Sequence, residues 1–315
     1  RSPVILLPDL GITPHLFSFS QMRKFQLFIF TTFISNAIWG QSSVTPLPAP
    51  SPLKPQVTQT SLKIVDNPIQ VNLEQYGESS PWTFIHLHDS EPSSLAAARQ
   101  IIPLTGGQLI KIVNKGKRNL SFTYRNRPWI IDPNRIYSDT GIQLNLQELQ
   151  RWNQDPKMVS SIQSFGSNLL GLIPKKTSCI ISLHNNTDGF FSINDYLPGG
   201  RRARDARKVF MDRLQDPDDI VITTDSLIYE HMAAACYNTI WQNTETVRQD
   251  GSLSVYCGLR NIRYVNIETQ HGQVGQYVRT LAHLMLFLTK PASSDMGERV
   301  EHISPSGAAN EKTPQ

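Results

Sequence analysis

The chain has 315 residues, of which 39% are hydrophobic and 18% are charged, and its formal net charge at pH 7 is +4. This composition provides enough apolar residues for a core and too few charges for a disordered protein. A nucleic-acid-binding protein carries a concentrated basic stripe, whereas the densest basic run here, residues 201–208, is short and interrupted by an acid. We interpret this run as a solvated helix face, with an anion-binding patch as the alternative, and we expect no nucleic-acid partner.

The N-terminal region has the features of an export signal. Residues 22–24 include two basic side chains, and they precede an apolar stretch over residues 25–34 that is followed by small residues. This order is typical of a secretory signal peptide, here residues 22–40, and the apolar stretch is too short for a membrane span. A buried N-terminal helix or an uncleaved anchor is the alternative. With residues 1–21 as an upstream extension, we expect a secreted or periplasmic protein without stable membrane insertion after signal removal.

The segment after the predicted signal is rich in proline. Five prolines between residues 43 and 59 favour an extended chain, so we assign residues 41–65 to a linker. From about Ile69 the apolar pattern is that of a folded domain, and past Pro291 the chain becomes polar. The predicted domain therefore covers residues 66–290, and residues 291–315 form a flexible tail.

Within this domain, predicted strands and helices alternate. Apolar β-rich runs predict strands, and helical periodicity or alanine-rich segments predict helices. The alternation predicts an α/β fold, a single domain with a mixed, largely parallel twisted sheet flanked by helices. The strands are expected over residues 82–88, 108–113, 178–184, 220–223 and 263–268, and the helices over residues 93–102, 146–172 with a break near Pro156, 225–235 and 273–288.

Polar residues at the ends of these strands are candidates for a site, because ligands of open α/β sheets bind beyond the carboxyl ends of the strands. His88 ends the first strand, Glu91 follows three residues later, and His184 ends a strand far downstream. A catalytic zinc needs two or three such ligands and an open coordination position. For each motif taken alone, a chance His-x-x-Glu spacing or a structural core histidine is the alternative.

Other strand ends carry acid–base and carboxylate-binding side chains. Glu268 ends a third strand, and near a metal it would be the base that activates water; an ion pair with a distant arginine is the alternative. A short apolar run ends at Asp132, shortly before Asn134 and Arg135, and Arg118 lies upstream of it. Arginine binds carboxylates through two parallel hydrogen bonds and also stabilises oxyanions.

The order His-x-x-Glu, Arg, Asn-Arg, His, Glu over about residues 80–290 resembles the zinc carboxypeptidase superfamily, including its peptidoglycan-trimming and acyl-amino-acid-cleaving branches. The resemblance implies a zinc-dependent hydrolase that cleaves an amide bond near a free carboxylate, with one Zn2+ per chain. Export favours a peptide or cell-wall peptide as the substrate. The resemblance implies His88, Glu91 and His184 as zinc ligands, Asn134 and Arg135 as binders of the terminal carboxylate, Arg118 as the group that polarises the scissile carbonyl, Glu268 as the general base, and Asp132 as the aspartate that orients a metal-bound histidine.

The sequence departs from the superfamily pattern in three places. Pro133 separates Asp132 from Asn134, where an apolar residue is usual, and the second histidine follows Ser-Leu instead of an aspartate. The mobile tyrosine of the superfamily has no clear match, and Tyr256 is a candidate for substrate binding in its place. Arg125 and Arg127 are alternatives to Arg118.

Two other functions fit parts of the sequence. The pair His86 and His88 is typical of the metal site of barrel amidohydrolases, although the predicted domain is short for the eight strand–helix units of that fold. A catalytically inactive exported protein that binds peptides or glycan-peptides on the same fold is the non-enzymatic alternative.

Overall fold

The structure is a computed structural model that describes residues 51–78, 80–149 and 155–290. The described residues form eleven strands, six α-helices and two short 3-10 helices. The strands are β1 (Pro55–Ile64), β2 (Asn67–Tyr76), β3 (Trp82–His86), β4 (Gly107–Val113), β5 (Leu120–Tyr124), β6 (Arg127–Ile131), β7 (Cys179–Asn186), β8 (Ala206–Phe210), β9 (Ile220–Thr223), β10 (Thr239–Gln242) and β11 (Tyr264–Gln270). The α-helices are α1 (Pro92–Thr105), α2 (Asp139–Leu149), α3 (Pro156–Gly171), α4 (Ser226–Ala234), α5 (Leu253–Leu259) and α6 (Val274–Leu288), and the 3-10 helices are Ile193–Tyr196 and Ala203–Asp205.

Nine strands form one mixed sheet in the order β1-β2-β4-β3-β7-β11-β9-β10-β8, and β5 and β6 form a separate hairpin. The four central strands β4, β3, β7 and β11 are mutually parallel, whereas β1, β2 and β8 are antiparallel to their neighbours. All residues of β3 and β7 are buried, as expected of parallel strands that are covered on both faces. The predicted α/β fold with a mixed sheet is confirmed.

Helices cover both faces of the sheet. Successive side chains of a strand point to opposite sides, so the apolar central strands contribute to a core on each face. Phe84 and Leu109 join one core cluster together with α1 and α6, while their neighbours Ile85 and Ile110 join another together with α3 and the β5–β6 hairpin. The predicted helices after β3 and at the end of the domain thus pack on the same face. This arrangement leaves the carboxyl ends of the central strands as one edge of the sheet.

The start of the sheet differs from the prediction. Residues 55–64, assigned to the linker, form β1, an edge strand paired antiparallel with β2 along its whole length. Its first five residues are exposed, and partly buried and exposed positions alternate only from Thr60 onward, so the first half of the strand lacks the alternation that marks a half-buried strand. Pro55 is its first residue, a position where proline does not interrupt a sheet.

The basic run of residues 201–208 is not a helix. It contains the 3-10 helix Ala203–Asp205 and the first residues of β8, and the Asp205 side chain is buried. The Oδ1 atom of Asp205 accepts the amide of Arg248 at 2.9 Å. The segment therefore has 3-10 and strand conformation where the spacing of charges indicated a helix.

The predicted upstream extension, signal peptide and tail lie outside the described residues, as do the first ten residues of the linker. In the part of the chain that is described, none of the helices combines the length and apolar character needed to cross a bilayer.

Candidate metal centre

Three neighbouring parallel strands end at the same edge of the sheet. β3 pairs with β7 so that Ile85 lies opposite Ser182, and β7 pairs with β11 so that His184 lies opposite Glu268. His88 follows the end of β3 by two residues. The parallel pairing therefore brings His88, His184 and Glu268, which the sequence analysis selected separately, to one place.

A tight turn between β3 and α1 positions Glu91. The Glu91 amide donates to the carbonyl of His88 at 3.1 Å, and Pro92 begins α1, where its fixed φ and missing N–H are tolerated. The carbonyl of Glu91 is itself bound by His86 Nε2 at 2.9 Å and by the Ser94 hydroxyl at 2.8 Å. These bonds fix the backbone so that the Glu91 carboxylate faces His88.

The side chains of His88, Glu91 and His184 converge on one point. The two Nδ1 atoms are 3.1 Å apart, His88 Nδ1 is 3.0 Å from Glu91 Oε1, and His184 Nδ1 is 3.0 Å from Glu91 Oε2. The three residues are at most 3% exposed, and among the described residues they are the group of histidine, cysteine and acidic side chains spaced to hold a metal ion.

The outer nitrogen of each histidine has its own partner. His88 Nε2 lies 2.8 Å from Asp132 Oδ1, and His184 Nε2 lies 2.9 Å from the Ser182 hydroxyl. A carboxylate accepts a hydrogen bond, so His88 carries its proton on Nε2 and turns the lone pair of Nδ1 inward. With the proton of His184 likewise on Nε2, the Nδ1 lone pairs of the two histidines and the Glu91 carboxylate face one another. A cation between these three electron-pair donors removes their mutual repulsion.

The charges of this cluster also favour an added cation. Burial disfavours the charged form of His88, but the hydrogen bonds and charges of Asp132 and Glu91 hold its pKa above the ordinary value. Burial likewise opposes ionisation of Glu91, yet His184 and His88 hold the pKa of this carboxyl well below its ordinary value. Both shifts mean that the cluster is stabilised by positive charge at its centre.

The donor set fits zinc. Two imidazoles and one carboxylate form a known ligand set of catalytic zinc sites, in which a fourth position stays open. Zinc bonds of about 2.1 Å in a tetrahedral arrangement separate the donors by about 3.4 Å, close to the 3.0–3.1 Å found here. Asp132 stands where it orients His88, as carboxylates do behind many zinc-bound histidines.

Glu268 lies beside this cluster and in the same cavity. Burial, and less strongly the charge of Glu91, raise the pKa of its carboxyl, while His184 and a hydrogen bond from Asn266 oppose the shift. Asn266 Nδ2 donates to Glu268 Oε1 at 3.0 Å. A carboxylate with a raised pKa is a stronger proton acceptor, which is the property a general base needs.

The cavity has a volume of about 450 Å³ and is lined by two of the predicted metal ligands, Glu91 and His184, and by the predicted carboxylate binders Asn134 and Arg135. Asn134 Oδ1 accepts the amide of Leu253 at 3.0 Å, so its side-chain NH2 is the group that remains for a ligand. Arg135 Nη1 donates to the Asn134 carbonyl at 2.9 Å, and its Nη2 lies 3.6 Å from Asp250. Both residues thus present donors to the cavity.

Arg118 reaches the cluster from the hairpin side. Its Nη1 donates to Glu91 Oε1, and its Nη2 lies 3.6 Å from Asp132 Oδ2. The alternative Arg125 instead pairs with Asp155 at 2.9 Å. Of these two candidates, Arg118 is the one that lines the cavity.

The structure does not bring Tyr256 to the cluster. Tyr256 lies on α5, packs against Tyr137 at a ring distance of 6.0 Å and stacks under Arg260. It lines a separate cavity of about 360 Å³. The tyrosines that line the site cavity are Tyr196 and Tyr264.

Several residues of the site were missed in the sequence analysis. Asn185 follows His184 and accepts the amides of Ser93 and Ser94 at 3.1 Å each, so it ties the start of α1 to β7. Its position next to a strand-end histidine was the available signal. Arg201 and Arg202 also line the cavity, and the anion-binding alternative for the basic run was their only signal in the sequence.

No family model matches the chain, and no curated protein matches it. Among solved structures, a thrombin-activatable fibrinolysis inhibitor is similar with 10% identity and a TM-score of 0.41, covering 74% of this chain and 69% of that one. The murein-tripeptide amidase MpaA from Escherichia coli O157 is similar with 12% identity and a TM-score of 0.39, covering 75% and 92%. A metallo-carboxypeptidase from Burkholderia cenocepacia is similar with 9% identity and a TM-score of 0.39, covering 75% and 65%.

Of these three similar structures, one is named as an amidase and another as a metallo-carboxypeptidase. Because these TM-scores are below 0.5, the likeness supports no statement about the activity or the substrate of this chain.

Proposed function

We propose that this chain is a zinc-dependent hydrolase that cleaves an amide bond near a free carboxylate of a peptide. The observation that carries the proposal is the convergence of three buried electron-pair donors, within 3.1 Å of one another, beside a glutamate with a raised pKa in one cavity. His88, Glu91 and His184 would hold the zinc. When bound, zinc polarises a carbonyl group and lowers the pKa of water.

The side chains around the metal position supply the remaining chemistry. Glu268 takes a proton from the attacking water and returns it to the nitrogen of the leaving amine. The guanidinium of Arg118 donates to the carbonyl oxygen, where negative charge develops. The Asn134 amide and Arg135 hold the free carboxylate of the substrate, which fixes the scissile bond relative to Glu268.

The predicted signal peptide motivates the choice of substrate. A secreted or periplasmic hydrolase has access to cell-wall peptides and to peptides of the environment, and both carry free carboxylates. We therefore propose a peptide carboxypeptidase or amidase of this kind.

The test combines metal analysis with hydrolysis. The full chain, purified without a metal-affinity tag, is compared with a His88→Ala/His184→Ala double variant, with Glu268→Gln, and with Glu230→Gln as a control. Glu230 is a surface glutamate, 60% exposed and paired with Lys208. Zinc is measured by elemental analysis, and hydrolysis is measured on C-terminal peptides and cell-wall fragments.

We expect about one zinc per chain in the wild type, in Glu268→Gln and in the control, and none in the double variant. Hydrolysis is expected to fall by about 100-fold or more in Glu268→Gln, because general bases contribute on this scale. A folded protein that neither contains nor takes up zinc contradicts the hydrolase proposal. Zinc binding without hydrolysis of any substrate, in the wild type as in Glu268→Gln, favours an inactive binding protein.

A further inference from the structure

The two edges of the nine-stranded sheet are built differently. β1 is the terminal strand on one side and β8 is the terminal strand on the other. The outer side of a terminal strand is a row of backbone N–H and C=O groups, and such a row pairs readily with a further strand unless the edge is protected. Proteins protect their edges by keeping the strand short, by placing charged side chains on it and by β-bulges.

The β8 edge has all of these forms of protection. β8 is five residues long and includes Arg207 and Lys208, and its pairing with β10 is interrupted by a shift of register. Arg207 forms an ion pair of 2.8 Å with Glu245, and Lys208 forms one of 2.8 Å with Glu230. A strand that approached this edge would meet these charges, so the β8 edge is closed to further pairing.

The β1 edge lacks this protection. β1 is ten residues long, and its register with β2 is continuous from Pro55 to Ile64. Lys63, the last residue but one, is its only charged side chain. Proline occupies the first position, where it does not interrupt the row of N–H groups. At 3.4 Å per residue, the outer side of β1 is therefore a regular row about 34 Å long that a further strand can pair with.

The side chains of β1 also favour a neighbouring strand. From Gln56 to Leu62 they are uncharged, and several are β-branched, which is the type that packs well across paired strands. Val57 is 55% exposed. Leu62 packs against the core cluster that contains Ile64 but is only partly buried. The core thus extends under one end of β1 and leaves apolar surface that a strand on its outer side would cover.

A second copy of this chain fits the edge. A two-fold axis perpendicular to the sheet pairs β1 antiparallel with itself and keeps the two faces of the sheet, so each residue lies opposite one from the same face. With the axis at Gln59, nearly the whole strand overlaps, and Thr58 lies opposite Thr60 of the second copy. Such threonine pairs are favourable across strands. Lys63 then lies opposite Pro55, so like charges do not meet.

We infer that β1 is the interface of a homodimer, in which two copies pair their β1 strands antiparallel and join their sheets into one continuous sheet. This is recognition by addition of a strand to a sheet edge, and the interface is self-complementary. Because β2 and β4 separate β1 from the strands that carry the candidate metal ligands, the site cavity stays open in the dimer. The inference therefore stands independently of the proposed function.

The oligomeric state is tested first, by sedimentation velocity of the full chain. Protein concentrations from about 1 to 200 µM cover the affinities expected of a small interface. The wild type is compared with Gln59→Lys, with Gln59→Glu and with an equimolar mixture of these two variants. Gln70→Lys is the control, because Gln70 is exposed and adds the same charge on the neighbouring strand β2, one strand further from the edge.

We expect a wild-type dimer that dissociates within this range. Each Gln59 variant should raise the dissociation constant by about fivefold, since it places like charges opposite each other at the two-fold axis. The mixture should return to within about twofold of the wild type, because opposite charges then face each other, and the control should stay within about twofold as well. Recovery in the mixture also shows that both variants are folded.

Cysteine cross-linking then tests which edge forms the contact. Cys236 is the exposed native thiol among the described residues, so Cys236→Ser provides the background for Gln59→Cys, Thr60→Cys and Lys208→Cys. A cysteine next to the two-fold axis lies within disulfide distance of its own copy. We expect a disulfide-linked dimer from Gln59→Cys or Thr60→Cys, and none from Lys208→Cys on the opposite edge.

Three results overturn the inference. A wild-type chain that is monomeric at every concentration refutes it, whatever other segment or protein covers β1, and this measurement needs no variant. A dimer with the same dissociation constant in both Gln59 variants refutes it as well. The third is a dimer that cross-links through Lys208→Cys and not through β1. None of these results affects the zinc and hydrolysis measurements, so the two proposals fail separately.

Discussion

Asp132 offers a direct test of how the site holds its metal. Its Oδ1 lies 2.8 Å from His88 Nε2, and it also accepts the amide of Asn134 at 2.8 Å. His88 is completely buried, while the Asp132 side chain is 16% exposed. The interaction is therefore a partly desolvated, charge-assisted hydrogen bond, and we expect it to fix both the tautomer and the orientation of the imidazole.

The expected effect of Asp132→Ala follows from this geometry. Removing such a carboxylate from a metal-bound histidine weakens metal binding by about 10- to 100-fold, or roughly 1.4–2.7 kcal/mol. Asp132→Asn keeps an acceptor but loses its charge. A neutral hydrogen bond has about half the strength of a charge-assisted one, so we expect Asp132→Asn to weaken zinc binding by about 3- to 10-fold.

Zinc affinity is measured by competition with a chromophoric chelator at pH 7.5. Asp225→Asn is the control, since Asp225 caps α4 and pairs with Arg263 at 2.7 Å, away from the site. This variant should lose stability to urea while its zinc affinity stays the same. If Asp132→Ala binds zinc within about threefold of the wild type, the assignment of the His88 tautomer is wrong.

Two further predictions concern stability. Burial and neighbouring aspartates raise the pKa of Asp219 to about 6, whereas in the unfolded chain this carboxyl ionises near pH 4. Above about pH 6 the folded state carries an ionised carboxylate that costs more free energy than the same group in the unfolded chain, so the folded state is destabilised there. Asp219→Asn should therefore raise the free energy of unfolding, measured in urea, by about 1 kcal/mol at pH 7.5, a value reduced for partial solvent access. At pH 4 the gain should be much smaller, and an equal gain at both pH values contradicts this account. An added Cβ on Gly141 would lie 2.3 Å from the Cα of Gly251, so Gly141→Ala should lower the free energy of unfolding by about 1–3 kcal/mol. Gly275→Ala is the control, because its Cβ would meet no atom closer than 3.8 Å, and this variant should not lower the free energy of unfolding. Equal midpoints in urea for Gly141→Ala and the wild type would show that the close approach is absent in solution.

The central part of the fold and the convergence of His88, Glu91 and His184 could be predicted because local and long-range signals agree there. The strands that carry His88 and His184 are apolar runs that stop at a polar side chain, and parallel neighbours bring such ends together. Glu268 follows the same rule on β11. No distances were needed for these predictions, only the shared edge of the sheet.

The remaining features depend on packing that the local sequence does not encode. β1 is an exposed edge strand that starts at Pro55, so its composition is that of a linker. The basic run has the charge pattern of a helix, but burial of Asp205 and the adjoining strand β8 set its conformation. The orientation of α5 directs Tyr256 away from the site, and no spacing in the sequence predicts that orientation.

The parallel pairing of β3 and β7 has a consequence for the order of events during folding. His88 and His184 are 96 residues apart in the chain, so they meet only after a large loop has closed and both strands are in register. Of the three candidate ligands, an unfolded or partly folded chain therefore presents at most the local pair His88 and Glu91 together to a metal ion. If the strands pair after the rate-limiting step, zinc would leave the folding rate nearly unchanged and would mainly slow unfolding, giving the protein a lifetime that depends on its metal supply.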